Sequence, residues 1–167
     1  MPYTVITIRP EHWVEFREIR LRMLADTPIA FGETLDHARG TSDAGWVARV
    51  ARATQPDRTA VAAVDDDGAW IGTMSAYLSE PGVATVAAVW VDPEHRGGEA
   101  GVTDRLMEAL VEWARTTARA TAMRLTVHED NERAAAYFER VGFAPTGETQ
   151  PYELEPGGSL RVMQRDL

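Results

Sequence analysis

The stretch from Ala84 to Ala118 constrains the fold most. It holds a β-branched apolar run (Thr85, Val86, Val89, Val91), a stop at Pro93, a turn rich in glycine, and a long amphipathic segment. In that segment Val102, Leu106, Leu110 and Trp113 recur at helical steps, with Asp104, Arg105, Glu108, Glu112 and Arg115 between them. The pattern predicts strand, tight loop and helix in direct succession. One stripe of the helix faces a core and the rest faces water.

A helix that starts right after a loop of small residues presents backbone N–H groups with no intrahelical partner, at the positive end of its peptide dipoles. Such a place suits phosphate. Gly97, Gly98, Ala100 and Gly101 have little or no side chain to keep a diphosphate from the amides, and Arg96 offers a planar, permanently charged donor. The loop fits neither the Gly-Lys-Ser/Thr phosphate loop nor the G-x-G-x-x-G dinucleotide fingerprint.

Val91-Asp92-Pro93-Glu94-His95-Arg96-Gly97-Gly98-Glu99-Ala100-Gly101 resembles the acetyl-CoA loop of the GNAT family of N-acyltransferases, V-x-P-x-x-R/Q-G-x-G-x-G/A. A second stretch, Asn131 to Phe143, is similar to that family's N-x-x-A-x-x-x-Y-x-x-x-G-F motif. The two lie in the family's order, and the resemblance covers essentially the whole chain. Each carries one departure. Glu99 stands at the loop's central glycine, where a carboxylate within about 5 Å of a phosphate costs on the order of 3 kcal/mol at an intermediate dielectric. Phe138 stands at the family's tyrosine, and the hydroxyl moves one place back to Tyr137, about 100° around a helix.

At 167 residues the length suits one domain, 1–167, able to bury about 70% of its unfolded surface. There is no cysteine, and so no disulfide framework, thiolate metal site or cysteine nucleophile; no metal is expected. The formal charge is -9, with 26 acidic against 17 basic side chains, which argues against a nucleic-acid partner and favours cationic amines. The start has no basic-then-apolar leader and no apolar stretch is long enough to span a bilayer, so a cytoplasmic protein with no membrane partner is expected.

The rest of the chain reads as strand 3–8, helix 11–25, an aperiodic stretch 29–39, a helix from the Thr41-Ser42-Asp43 cap cluster to about Ala53, and a hairpin 58–64 with 69–78. Strand 121–127, helix 132–141 behind Asn131 as N-cap, and strands 143–149 and 160–164 follow. The resemblance implies an α/β (α+β mixed) GNAT fold: a central mixed, mostly antiparallel sheet of about seven strands flanked by four helices, with the fourth and fifth strands splayed.

The resemblance also implies an N-acetyltransferase that moves an acetyl group from acetyl-CoA, as co-substrate, to a primary amine of a small molecule or peptide by direct attack. The alternative, prompted by Glu99 and Phe138, is a CoA-binding module with weak or no catalysis. Cofactor contacts are expected from Val89, Val91, Arg96, Gly97, Gly98, Ala100, Gly101, Asn131 and Phe138, and acceptor contacts from Phe31 and Glu33. No acid or base lies between Ala84 and Val91. His128 has the intrinsic pKa of a base, with Glu33 or Glu129 acting through water as alternatives, and Tyr137 is the candidate acid. The family analogy leaves a homodimer open.

Overall fold

The computed structural model describes residues 2–98 and 101–167. Glu99 and Ala100, and the expectations attached to them, lie outside the described residues. Seven strands, β1 (Tyr3–Thr7), β2 (Arg58–Asp65), β3 (Trp70–Glu80), β4 (Val83–Val91), β5 (Ala122–His128), β6 (Ala144–Pro151) and β7 (Ser159–Asp166), form one sheet in the order β1-β2-β3-β4-β5-β7-β6. Every neighbouring pair is antiparallel except β4 with β5. The single parallel step is where a helix must cross over.

That helix is α4 (Val102–Thr116), which buries Val102, Leu106, Met107, Leu110, Val111 and Ala114 as its heptad-like stripe predicts. Trp113 is half-buried at the margin of the same core. Gly72 on β3 makes the close approach possible: a Cβ there would lie 3.1 Å from Leu106 Cδ1 and 3.2 Å from the Trp90 carbonyl oxygen. Three further helices cover the chain's start: α1 (Trp13–Asp26), α2 (Leu35–Arg39) and α3 (Asp43–Ala53). Ile19, Met23 and Val50 from α1 and α3 pack on Ala60, Ala62, Trp70 and Trp90 as a second core. The last helix, α5 (Glu132–Arg140), buries Ala135 and Phe138.

The described residues therefore hold five α-helices rather than four. The additional one is α2, whose five residues are too few to display a period; Thr34 starts it by accepting the His37 N–H on its hydroxyl. The entry to α1 is also tighter than expected, because Pro10–His12 forms a 3-10 turn and the α-helix begins at Trp13. The fourth and fifth strands part as the resemblance implies. Their pairing extends only over Val83–Ala122, Ala84–Met123 and Thr85–Arg124.

Candidate active site

Two local features open the sheet beyond Thr85. First, β4 carries a bulge: Thr73 faces Trp90 and Ser75 faces Ala87, so Ala88 and Val89 together oppose Met74. Ala88 sits at φ 54, a conformation uncommon for a residue with a Cβ. Second, β5 turns to β7 for its hydrogen bonds, pairing from Ala122–Asp166 to His128–Leu160. The edge of β4 from Val86 onward is thus left without a strand partner toward β5. Into this gap runs a cavity of about 890 Å³, at the upper end of the range for small-molecule sites. Its walls include Val86 to Val91, Leu125 to His128, and Asn131, Ala134 and Phe138 of α5.

One end of the cavity reaches the start of α4, where Gly97 and Thr103 line it. Gly101 is the N-cap at φ 62, ψ 34, a left-handed conformation suited to glycine, and no side chain among the described residues caps the helix. By contrast α2, α3 and α5 are each capped by a side chain, from Thr34, Ser42 and Asn131. The first-turn amides of α4 accordingly have no side-chain acceptor among the described residues.

Arg96 lines the cavity, but its guanidinium is engaged elsewhere. Its Nε donates to the Val91 carbonyl at 2.7 Å and its Nη2 is ion-paired with Asp26. Asp26 also accepts from Trp90 Nε1 at 2.9 Å. Partial burial pushes the Asp26 carboxyl upward, yet the hydrogen bonds from Arg96, Trp90 and Thr27 outweigh it and hold its pKa at about 2. The expected phosphate donor is thus a clamp that ties the loop to the end of α1.

At the N-cap of α5, Asn131 accepts the Ala134 N–H on its side-chain oxygen at 3.3 Å and lines the cavity. Phe138 is only 4% exposed and packs edge-on to Phe143. The Tyr137 ring lines the cavity, but its hydroxyl oxygen is buried and has no hydrogen-bond partner at proper geometry. Burial, and then the charge of Asp104, push its pKa well above the usual phenol value. Arg140, ion-paired with Asp104 at 3.2 Å, lies over the ring.

His128 is 2% exposed and lines the cavity. Its Nδ1 accepts the Asp130 N–H at 3.1 Å, so a neutral ring carries its proton on Nε2, which lies 3.6 Å from Glu155 Oε2. The Tyr152 ring meets it edge-on at 4.8 Å, and the Tyr152 hydroxyl reaches the Pro28 carbonyl at 3.5 Å. Tyr152 and Glu155 were hidden in what reads as a Pro/Gly excursion. Only the register His128–Leu160–Gln150 across β5, β7 and β6 brings them beside His128.

On the acceptor side Phe31 lines the cavity, under Arg20. Glu33, expected to meet a cationic amine, is not among the lining residues and is engaged by other side chains. Its carboxylate receives Arg49 Nη1 and Nη2 at 3.1 and 2.7 Å, Arg20 Nε at 3.0 Å, and contacts His37 Nδ1 at 2.8 Å. Burial raises its carboxyl pKa, and the bonds from Arg49, His37 and Arg20 overcome that and hold it at about 2.

The model of the acetyltransferase (GNAT) family matches residues 13–143. Among solved structures, an acetyltransferase of the GNAT family from Streptococcus pneumoniae superposes with a TM-score of 0.82 at 14% identity, covering 99% of this chain and 100% of its own. YncA from Salmonella typhimurium, solved with its cofactor acetyl-CoA, superposes at 0.78 with 17% identity, over 100% and 95% of the two chains. A GCN5-related N-acetyltransferase from Kribbella flavida does so at 0.75 with 22% identity, over 99% and 98%. No curated protein sequence matches the chain.

Proposed function

The chain belongs to the acetyltransferase (GNAT) family, and on that premise we propose that it transfers an acetyl group from acetyl-CoA to a primary amine of a small molecule or peptide by direct attack. The observation that carries this reading is the end of β4–β5 pairing at Thr85, which leaves a strand edge exposed along a cavity that runs to an uncapped helix. The fit to the coenzyme is chemical. An extended chain of amides matches an unpaired strand edge, and a diphosphate matches free first-turn amides.

Acetyl-CoA supplies a thioester: the amine nitrogen forms a bond to the acetyl carbon, the carbon–sulfur bond breaks, and the coenzyme leaves as its thiol. In our reading the chain binds the diphosphate with the main chain of Gly97, Gly98, Gly101 and the first turn of α4, and the pantetheine amides with Val89 and Val91. The Asn131 amide nitrogen donates to the same arm, and Phe138 walls it. The backbone N–H beside the Ala88 bulge faces the thioester oxygen.

Proton handling falls to His128 and Glu155 as one unit. With its Nε2–H turned toward Glu155, His128 takes the amine's proton on Nδ1 as the Asp130 N–H bond is given up, and the Glu155 carboxylate, 3.6 Å from Nε2, balances the imidazolium that forms. Tyr137, with its hydroxyl turned toward Asp104, acts here as packing, and the sulfur takes its proton from solvent. Phe138 favours the second reading, a coenzyme-binding module with weak catalysis, because it places no hydroxyl at the family's acid position. Calorimetric titration with acetyl-CoA, followed by thiol release over a panel of amines, tests both. Binding without release under any amine selects the module, and no binding of acetyl-CoA removes both readings.

A further inference from the structure

A second cavity, of about 370 Å³, lies on the α1–α3 side of the sheet. It touches the first, since Arg20 and Ala88 line both. Ala88 is the bulge residue, so the second cavity opens where the proposed reaction takes place. Its charged lining consists of Arg20, Arg49, Arg52 and Arg58, without a single carboxylate among the lining residues.

The guanidiniums are only partly neutralised. Glu33 serves Arg20 and Arg49 together, so one acid answers two bases. Arg58 meets Asp57 only at 4.0 Å, and its Nε is buried with no hydrogen-bond partner among the described residues. Arg52 has no ion pair among the described residues. A chain of net charge -9 thus holds a concave, partly dry pocket of opposite sign, where guanidinium forks match planar oxyanions. The remaining lining is apolar (Phe16, Ile19, Met23) or hydroxyl. The two hydroxyls, of Thr73 and Ser75, already donate to the Val61 and Ala87 carbonyls. That leaves Arg52 and Arg58 as the uncommitted donors among the described lining residues.

We propose that this cavity binds an anionic group on the acceptor, so that the substrate is an amino carboxylate or amino phosphonate with its amine at the Ala88 bulge and its anion between Arg52 and Arg58. The inference rests on the acetyl-transfer reading above. It replaces the preference for simple cationic amines that net charge alone suggests.

The test is acetyl-CoA consumption with ω-amino carboxylates of increasing length, each beside its carboxamide, and the corresponding phosphonates. The expected result is that kcat/KM for the best anionic amine exceeds that of its carboxamide by about tenfold or more, and that Arg52→Gln removes most of that preference by raising KM for the anion. Arg52 is exposed, so its loss leaves folding intact. Equal use of carboxylate and carboxamide, or an unchanged preference in Arg52→Gln, overturns the anion site while acetyl transfer stands. Should no amine be acetylated, the transfer reading fails and inorganic phosphate decides the site: it must raise the melting temperature of the wild type more than that of Arg52→Gln. Equal shifts overturn the proposal.

Discussion

Glu33→Gln measures the cluster that holds the acceptor side together. Glu33 is 11% exposed in its side chain and joins α1, the 28–34 loop and α3 by accepting from Arg20 and Arg49. Glutamine keeps one oxygen as acceptor but turns an N–H₂ toward guanidinium donors, leaving two like charges facing each other. The fall of its pKa from 4.5 to about 2 corresponds to roughly 3 kcal/mol by linkage. Some solvent access trims that figure, so the expected loss is about 2–3 kcal/mol, or about 4–12 °C in Tm for a chain of this size. The sign of the pH dependence follows. A carboxyl whose folded pKa lies below its unfolded one contributes fully above about 4.5, and loses that contribution as pH falls toward about 2. Urea unfolding of both proteins at neutral pH and through this window is the assay, and the two stabilities must converge as the pH falls. A loss under about 0.5 kcal/mol at neutral pH, or a gap that stays constant into acid, would refute the argument.

Four further outcomes are expected. His128→Gln lowers kcat by about a hundredfold with little change in the KM for acetyl-CoA; an unchanged kcat moves the base elsewhere. Phe138→Tyr restores a hydroxyl at the family's acid position and raises turnover, whereas Tyr137→Phe changes it by less than about twofold, because a buried hydroxyl beside Asp104 is not in the reaction path; steady-state thiol release separates the two. Gly101→Ala costs about 1–2 kcal/mol in chemical denaturation, since its φ of 62 is unfavourable to a Cβ, and it weakens acetyl-CoA binding in calorimetry. Glu99→Gly removes a like charge from the loop proposed to hold the diphosphate and tightens the same binding; an equal or weaker affinity refutes that.

What local pattern encodes was readable, and what docking decides was not. The α4 stripe, the caps at Ser42 and Asn131, and the hairpin 58–78 depend on neighbours within a few residues, and each appears where spacing puts it. The α2 helix was missed because five residues make little more than one turn. The partners of Glu33 are illegible for another reason: Arg20 and Arg49, which occupy it, sit on two helices whose packing is tertiary. The pairing of Arg96 is equally hidden, because nothing near it in sequence announces Asp26, 70 residues away. The same holds for Tyr152 and Glu155, which reach His128 only through the order β5-β7-β6.

Net charge illustrates the same limit and bears on how an acceptor is chosen. The formal -9 acts at long range, where salt screens it beyond about 8–10 Å, and there it draws amines in by their positive end. Inside the second cavity four lining arginines, Arg20, Arg49, Arg52 and Arg58, face the single neighbouring carboxylate of Glu33, and at a few ångströms their surplus charge outweighs the distant acids. A simple cation is attracted by the first field and repelled by the second, while a simple anion meets the reverse. A zwitterion with its two charges set apart satisfies both, provided that its amine loses a proton at the bulge. On this argument raising the salt concentration lowers the encounter rate of cationic and zwitterionic amines alike, but leaves the discrimination between carboxylate and carboxamide largely in place, because that choice is made at contact distance.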